Sequence, residues 1–253
     1  MVSNTEFTGG YARLEGDEAN KLQEALSKIG FDVVVRHNLR LDEMEHAFSL
    51  KAIEGDIQTC LFLGVFSHGV ESDHGDLLLA ATDSKHGEPE THFSLCRLLQ
   101  RLDAKPAHFL DTIILLDCCR ENSNQITFHS SRKHKGAATS SPWSFPLARS
   151  ASCFIAYACD PGTVAYCAEQ EQTQQRVDNF TEAVIQHIGT PRKDIDSIFA
   201  TIVERTMDSS GRKQRPWINN SLKRPVMLNQ LGVSTEICSE CKSGWDTTKA
   251  RDR

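Results

Sequence analysis

The sequence has no long hydrophobic run and no excess of basic residues. No apolar stretch approaches the ~20 residues of a membrane-spanning helix, and the first ten residues, MVSNTEFTGG, lack the pattern of a secretory signal. The chain carries 28 Lys and Arg against 34 Asp and Glu, a net charge of -6, which disfavours nucleic acid or an anionic membrane as a partner. We therefore expect a cytoplasmic protein.

Features that would hold a cofactor are also scarce. Nine cysteines is an odd number, and several lie within apolar runs, which favours reduced thiols over a disulfide framework. Cys238 and Cys241 form a single CxxC without a second pair, so the sequence predicts no zinc site. The sequence also lacks GxGxxG and phosphate-loop motifs, which sets nucleotide binding aside. We expect no cofactor and no metal.

Helical and strand patterns alternate along the 253 residues. Apolar residues at helical spacing predict helices at about 18–29, 41–53, 93–102, 178–189 and 194–207. Short apolar runs predict strands at about 31–36, 60–66, 77–81, 112–117, 152–158 and 224–228. This alternation is typical of an α/β fold in which a mostly parallel sheet has helices on both faces, a three-layer sandwich.

A histidine and a cysteine follow two of the predicted strands. The first ends in Phe66-Ser67-His68-Gly69 and the next in Asp117-Cys118-Cys119-Arg120. Parallel strands bind ligands at their carboxyl ends, so these two segments should meet. Cysteine attacks as a thiolate, and a neighbouring imidazole activates it. The pair predicts a nucleophilic cysteine site that uses a Cys-His dyad.

These motifs resemble those of the caspase, metacaspase and paracaspase superfamily. FSHG is similar to its histidine motif, LLDCCR to its cysteine motif, YACDPGTVAY to its cleft segment and QRPWINNSLKRPVML to its closing strand region, from Val2 to about Asn229. The resemblance implies a cysteine endopeptidase that acts on protein substrates, with a homodimer left open. It makes Cys119 the nucleophile, since family members place that cysteine two residues after an acid or amide, and it assigns the oxyanion to the backbone amides of Gly69 and Cys119.

The resemblance also bears on the specificity pocket. Metacaspases and paracaspases, which cut after Arg or Lys, resemble this chain in having an acid where Asp117 stands, and an acid complements a basic P1 side chain. Register with related proteases makes Glu18 a second pocket acid, although an acid there also suits the first turn of a helix. Cys167 stands where paracaspases have a further acid. Arg13 lies near the position of a pocket arginine of true caspases.

Other functions remain open beside cleavage after Arg or Lys. The same residues are compatible with caspase-type cleavage after Asp, or with an inactive caspase-like module that binds partners. Calcium activates many metacaspases, but Glu71, Asp73 and Asp76 have no recognisable coordination spacing.

The chain is expected to form one domain in two parts. Residues 1–121 correspond to a large-subunit-like part and 151–231 to a small-subunit-like part, with a polar linker at 122–150 and a polar tail at 232–253. Arg132, Lys133 and Lys135 in the linker are candidate sites of self-cleavage, or else a solvated basic loop. Family members open with an apolar strand before a similar turn, whereas only Met1 and Val2 precede Ser3-Asn4-Thr5-Glu6-Phe7 here. Either the first strand is truncated, or the sheet lacks several ladder hydrogen bonds at that position.

Overall fold

The computed structural model describes residues 1–49, 60–72, 75–104, 111–122, 152–165, 167–169 and 176–230. Of the residues singled out in the sequence, the candidate cleavage sites Arg132, Lys133 and Lys135 lie outside these ranges, as do Asp73 and the CxxC cysteines Cys238 and Cys241. Within the ranges, no helix combines the length and the apolar character needed to cross a membrane.

Five α-helices, one short 3₁₀ helix at Pro89–Thr91 and twelve strands lie in this part of the chain. The helices are α1 Glu18–Lys28, α2 Leu41–Ala47, α3 Leu95–Asp103, α4 Asn179–His187 and α5 Ile195–Ser209. The strands are β1 Val2–Ser3, β2 Arg36–His37, β3 Cys60–Phe66, β4 Gly69–Glu71, β5 Leu77–Leu79, β6 Phe93–Ser94, β7 Asp111–Asp117, β8 Glu121–Asn122, β9 Cys153–Tyr157, β10 Cys167–Glu169, β11 Arg176–Asp178 and β12 Trp217–Asn220.

The central sheet has the order β12-β9-β7-β3-β1-β2. All neighbouring strands are parallel except β12, which pairs antiparallel with β9. Two smaller sheets lie beside it, β6-β5-β4-β8 and the antiparallel pair β10-β11. The predicted mostly parallel sheet is confirmed.

Helices cover both faces of the central sheet, because its middle strands alternate between two apolar cores. One core joins Ile114, Leu116 and Ile155 to α2 and α3. The other joins Ile113 and Leu115 to α1, α4 and α5. A strand that is covered by helices on both faces exposes neither face to water, so both faces are apolar. This explains the uninterrupted apolar runs of β7 and β9. The three-layer α/β sandwich expected from the sequence is confirmed.

Three predicted elements differ from the structure. The 31–36 strand is reduced to β2, because β1 offers only Val2 and Ser3 for pairing. The last strand is β12 and not 224–228, where Met227 makes only an isolated bridge to Asp194. The helix predicted at 41–53 ends at Ala47, and residues 50–59 lie outside the described ranges.

Candidate active site

The histidine and cysteine segments leave the sheet side by side. In the parallel pair β3 and β7, Phe66 stands opposite Asp117, and the Ser67 amide donates to the Asp117 carbonyl at 3.2 Å. Just beyond, β4 runs parallel to β8, with Val70 opposite Glu121. His68 and Gly69 therefore lie against the 118–120 segment, as the two strand ends predict.

The pleat of β7 sends successive side chains to opposite faces. Cys118 continues the row of Ile114 and Leu116 and is buried in the core beside α2 and α3. Burial raises the pKa of the Cys118 thiol well above its ordinary value, and the charges of Cys159 and Cys119 act in the same direction. Cys119 is half-buried. Cys118 is therefore a poor nucleophile, since it is enclosed and holds its proton.

Gly69 makes the close approach of the two segments possible. A Cβ atom at this position would lie 2.6 Å from the Cys119 carbonyl oxygen and 2.7 Å from Sγ of Cys118. Only a residue without a side chain fits there. The two residues assigned to the oxyanion site by family resemblance, Gly69 and Cys119, are thus in direct contact.

The backbone sets the tautomer of the His68 imidazole. His68 Nε2 lies 2.8 Å from the carbonyl oxygen of Ala12. A carbonyl only accepts, so Nε2 carries the hydrogen of the neutral ring and Nδ1 is left able to take a proton. Burial lowers the pKa of His68, the Ala12 carbonyl opposes this effect, and the charge of His86 reinforces it. The neutral imidazole is favoured, which is the form a general base requires.

A second group of charges gathers on the other side of β7. We call Glu18, Asp117 and Asp178 the acidic cluster. Thr181 Oγ1 donates a short hydrogen bond to Oδ2 of Asp117. Asp178 Oδ1 accepts from the amides of Phe180 and Thr181, both at 2.9 Å, and so caps α4.

Burial and mutual repulsion raise the pKa values in this cluster. The pKa of Asp117 is raised well above its ordinary value, first by burial and then by the charge of Asp178. The pKa of Asp178 rises to about 6, mainly through burial and despite its bonds to the Thr181 and Phe180 amides. The charge of Glu18 contributes to both shifts, and burial raises its own pKa. The pKa values of Asp117 and Asp178 therefore depend on the other carboxyls of the cluster.

Two further residues considered for the specificity pocket are Cys167 and Arg13. Cys167 begins β10 and stands opposite Asp178 in the antiparallel register with β11. Sequence reasoning missed Asp178, although its place as the cap of a predicted helix was a usable signal. Arg13 is 75% exposed and pairs with Glu6 at 3.7 Å, so its side chain is engaged at the surface.

Behind Cys119 lies a buried ion pair that the sequence did not predict. Arg120 is fully buried, and its Nε donates to Glu71 Oε1 at 2.8 Å. Its guanidinium lies 4.2 Å from the centroid of the Tyr157 ring. The Arg120 amide donates to the Thr163 carbonyl and its carbonyl accepts from the Gly162 amide, both at 2.9 Å. Arg120 therefore connects the 118–120 segment to β4, β9 and the 160–163 turn.

The acids considered for calcium have other partners. Glu71 pairs with Arg120, and Asp76 accepts from the Ser94 hydroxyl at 2.6 Å and from the Cys96 amide at 2.9 Å. Among the residues that the structure describes, no group of three or more His, Cys, Asp or Glu side chains is arranged to hold a metal ion.

The fold is an α/β sandwich in which the segments that carry His68 and Cys119 meet beyond the carboxyl ends of β3 and β7. The family model described as Caspase domain matches residues 1–227, so the chain belongs to the caspase-domain family, whose members are cysteine endopeptidases. No curated protein sequence matches the chain.

Two solved structures share the fold. Caspase-1 from Spodoptera frugiperda has 20% identity and a TM-score of 0.59, over 90% of this chain and 88% of that one. The structure of pro-sf-caspase-1 has 18% identity and a TM-score of 0.60, with the same coverage of 90% and 88%. At this identity the likeness concerns architecture alone.

Proposed function

We propose that the protein is a cysteine endopeptidase that cleaves protein substrates after Arg or Lys through a Cys119-His68 dyad. The main observation that supports the dyad is the packing of Gly69 against Cys119, where the adjacent strands β3 and β7 end. Since Cys118 is buried in the opposite core, Cys119 is the cysteine of this segment that a substrate can reach. The family membership supports the same reaction class.

The chemistry would follow from the tautomer of His68. Nδ1 takes the proton of the Cys119 thiol, and the thiolate attacks the carbonyl carbon of the P1 residue. The amides of Gly69 and Cys119 donate to the resulting oxyanion. The imidazolium then returns the proton to the leaving amine, which breaks the peptide bond and leaves a thioester on Cys119. Water, deprotonated by His68, hydrolyses the thioester and regenerates the thiol.

The acidic cluster supports the preference for a basic P1 side chain. Asp117 lies two residues before Cys119, and Asp178 adds a buried carboxyl opposite Cys167, where paracaspase-like proteases are expected to have an acid. Glu18 adds a third negative charge. An acidic pocket attracts Arg or Lys and repels Asp. The exposed ion pair of Arg13 weighs against a pocket built for Asp.

Fluorogenic tetrapeptides that differ only at P1 test this function. We expect turnover of the Arg and Lys peptides and little of the Asp peptide, with no turnover in Cys119→Ala. Asp117→Asn and Asp178→Asn should each reduce kcat/KM for the Arg peptide by roughly tenfold or more, because a buried countercharge is lost. Faster turnover of the Asp peptide would contradict the pocket assignment. A wild type that neither turns over a peptide nor is labelled by a P1-Arg electrophile would favour the binding module.

Homodimerisation is a further part of the proposal. Among the described strands, β12 is an edge of the central sheet, and its Trp217 is 40% exposed. An edge strand with an exposed aromatic residue is suited to pairing with a second copy. Sedimentation velocity of wild type and Trp217→Lys would test it, with a dimer expected only for the wild type.

A further inference from the structure

The imidazole of His68 packs against one loop, residues 5–14. The Tyr11 ring stacks on it at 5.0 Å between centroids with an angle of 23°, and the Phe7 ring lies at 5.0 Å and 58°. Ala12 of the same loop accepts the hydrogen bond from Nε2. The plane of the imidazole is therefore set by Tyr11, and its rotation about the hydrogen bond is limited by that stacking.

Tyr11 in turn is held by a buried histidine on a distant part of the chain. Its hydroxyl lies 2.7 Å from Nε2 of His92, which is 5% exposed. Nδ1 of His92 lies 3.0 Å from the Glu88 carbonyl, which only accepts, so Nδ1 carries the hydrogen. Nε2 of the neutral ring then accepts, and the Tyr11 hydroxyl donates. Burial lowers the pKa of His92 and so favours this neutral form.

The segment that carries His92 also fixes the 5–14 loop. The Thr8 amide donates to the Thr82 carbonyl at 2.8 Å, and the His86 amide donates to the Gly9 carbonyl at 2.9 Å. A Cβ on Gly9 would lie 1.9 Å from the Ser84 carbonyl oxygen, so the backbones are in tight contact. Tyr11 and His92 therefore lie on two segments that are hydrogen-bonded to each other.

We infer that Tyr11, fixed by His92, is a positioning residue that orients the His68 imidazole for proton transfer. This inference rests on the proposed peptidase function. Tyr11 acts through His68, whose Nδ1 must face first the Cys119 thiol and then the leaving amine. A small error in the orientation of a reacting group lowers the rate strongly, whereas substrate binding does not depend on the imidazole plane. The loss is therefore expected in kcat and not in KM.

Kinetics of matched variants test the role. Tyr11→Phe keeps the ring and loses the bond to His92, and we expect a roughly fivefold lower kcat. Tyr11→Ala should lower kcat by roughly 100-fold, with KM within about twofold of wild type. His92→Leu should match Tyr11→Phe. His92→Gln, which again offers an acceptor to the hydroxyl, should recover most of the lost kcat.

Two control variants separate this role from a general disturbance of the loop. Thr8→Val removes a hydroxyl that donates to Thr82 from the same loop, and His46→Gln replaces an exposed histidine on α2. Both should keep wild-type kcat. The inference is overturned if Tyr11→Phe and His92→Leu keep wild-type kcat, or if their loss lies in KM alone.

Nitrogen-15 NMR of His68 gives a readout that does not depend on turnover. In the Cys119→Ala background we expect one neutral tautomer, protonated at Nε2. With Tyr11→Ala added, both tautomers should be populated. The pKa of His68 should rise toward its ordinary value because burial is relieved, while the opposing effect of His86 remains. An unchanged tautomer and pKa would overturn the inference. Absence of turnover in the wild type would instead contradict the proposed function, and the NMR result would still decide the role of Tyr11.

Discussion

Thr181 donates a hydrogen bond to Asp117 across 64 positions of sequence. The bond joins the first turn of α4 to the carboxyl end of β7, two residues before Cys119. Thr181 is itself fully buried, and its amide donates to Asp178. One residue therefore bonds to two of the three carboxyls of the acidic cluster, those of Asp117 and Asp178.

The two adjacent cysteines should behave differently on substitution. Cys119→Ala should abolish peptidase activity, since no nucleophile remains. Cys118→Ala should keep it within about tenfold, because Cys118 lies in the opposite core and only packing is lost. Turnover of the P1-Arg peptide and labelling by a P1-Arg electrophile measure both. Equal loss in two folded variants would contradict the assignment of Cys119.

Gly69→Ala should damage both stability and activity. The added Cβ would meet the Cys119 carbonyl oxygen at 2.6 Å, and the backbone has to shift. We expect about 1–3 kcal/mol of destabilisation and a kcat/KM that is roughly 100-fold lower. Denaturant unfolding and peptide turnover measure the two effects.

Gly211→Ala is the control for that variant. Gly211 has a φ of +59° and nothing within 4 Å of an added Cβ. It should cost about 1 kcal/mol through backbone strain alone and leave turnover unchanged. If both glycine variants lose activity in proportion to stability, the contact of Gly69 with Cys119 has no catalytic role.

The acidic cluster should make stability depend on pH. The carboxyl of Asp178 titrates at about 6 in the fold, against an ordinary pKa of 3.8, and that of Asp117 is also raised. The folded state holds these protons more tightly than the unfolded chain does. The contribution of these carboxyls to the free energy of unfolding is therefore fully present below about pH 4 and is lost as the pH rises through about 6. Asp117→Asn should reduce this loss and raise the free energy of unfolding at pH 7 by on the order of 1–3 kcal/mol.

Thermal unfolding of wild type and Asp117→Asn from pH 4.5 to pH 7.5 would measure this effect. The other titrating groups of the chain change the stability of both proteins equally, so the difference between the two curves reports on Asp117. Asp32→Asn, at an exposed aspartate after α1, is the control and should follow the wild-type curve. Parallel curves for Asp117→Asn and wild type would show that the Asp117 carboxyl does not control the pH dependence.

Breaking the buried Arg120–Glu71 ion pair from one side should destabilise the fold strongly. Glu71→Ala leaves the guanidinium of Arg120 buried without its carboxylate, which should cost about 3–5 kcal/mol. Glu88→Ala breaks the exposed pair with Lys85, at 3.3 Å, and should cost less than about 1 kcal/mol. Chemical denaturation measures both. A small loss for Glu71→Ala would mean that water or another group compensates Arg120.

A maturation cut, where one occurs, is expected after Arg132, Lys133 or Lys135. Residues 119–158 contain no aspartate, so a protease that cuts after Asp would find no site between the two proposed halves. Fragments should remain together, because β7 and β9 pair from Thr112 opposite Cys153 to Leu116 opposite Tyr157. Intact-mass analysis should find the cut in wild type and not in Cys119→Ala. Identical masses for both proteins would show that this segment is not a substrate.

The sequence predicted the middle of the sheet well and its edges less well. β3, β7 and β9 are buried on both faces, so their apolar runs needed no knowledge of neighbours. The length of β2 depends on its partner β1, which the 31–36 segment itself does not reveal. The 224–228 segment is apolar because Val226 and Leu228 pack into the core, and not because it pairs with a strand.

The site divides in the same way. His68, Gly69, Asp117 and Cys119 stand at strand ends, where the sequence pattern points directly to them. Tyr11 and His92 are 81 positions apart, and neither has a motif of its own. The roles of Asp178 and Arg120 likewise depend on contacts across the fold. Residues that act through long-range contacts become visible only in three dimensions.

The bond between Thr181 and Asp117 can form only late in the synthesis of the chain. A chain that has left the ribosome only as far as residue 122 already contains His68 and Cys119, but it lacks Thr181 and Asp178. Strands β9 and β12, which complete the sheet, and helix α4, which borders the proposed pocket, follow later in the chain. A nascent chain therefore carries the proposed nucleophile before the proposed specificity pocket is complete, and on this proposal substrate selection begins only when the final third of the polypeptide has packed against the sheet.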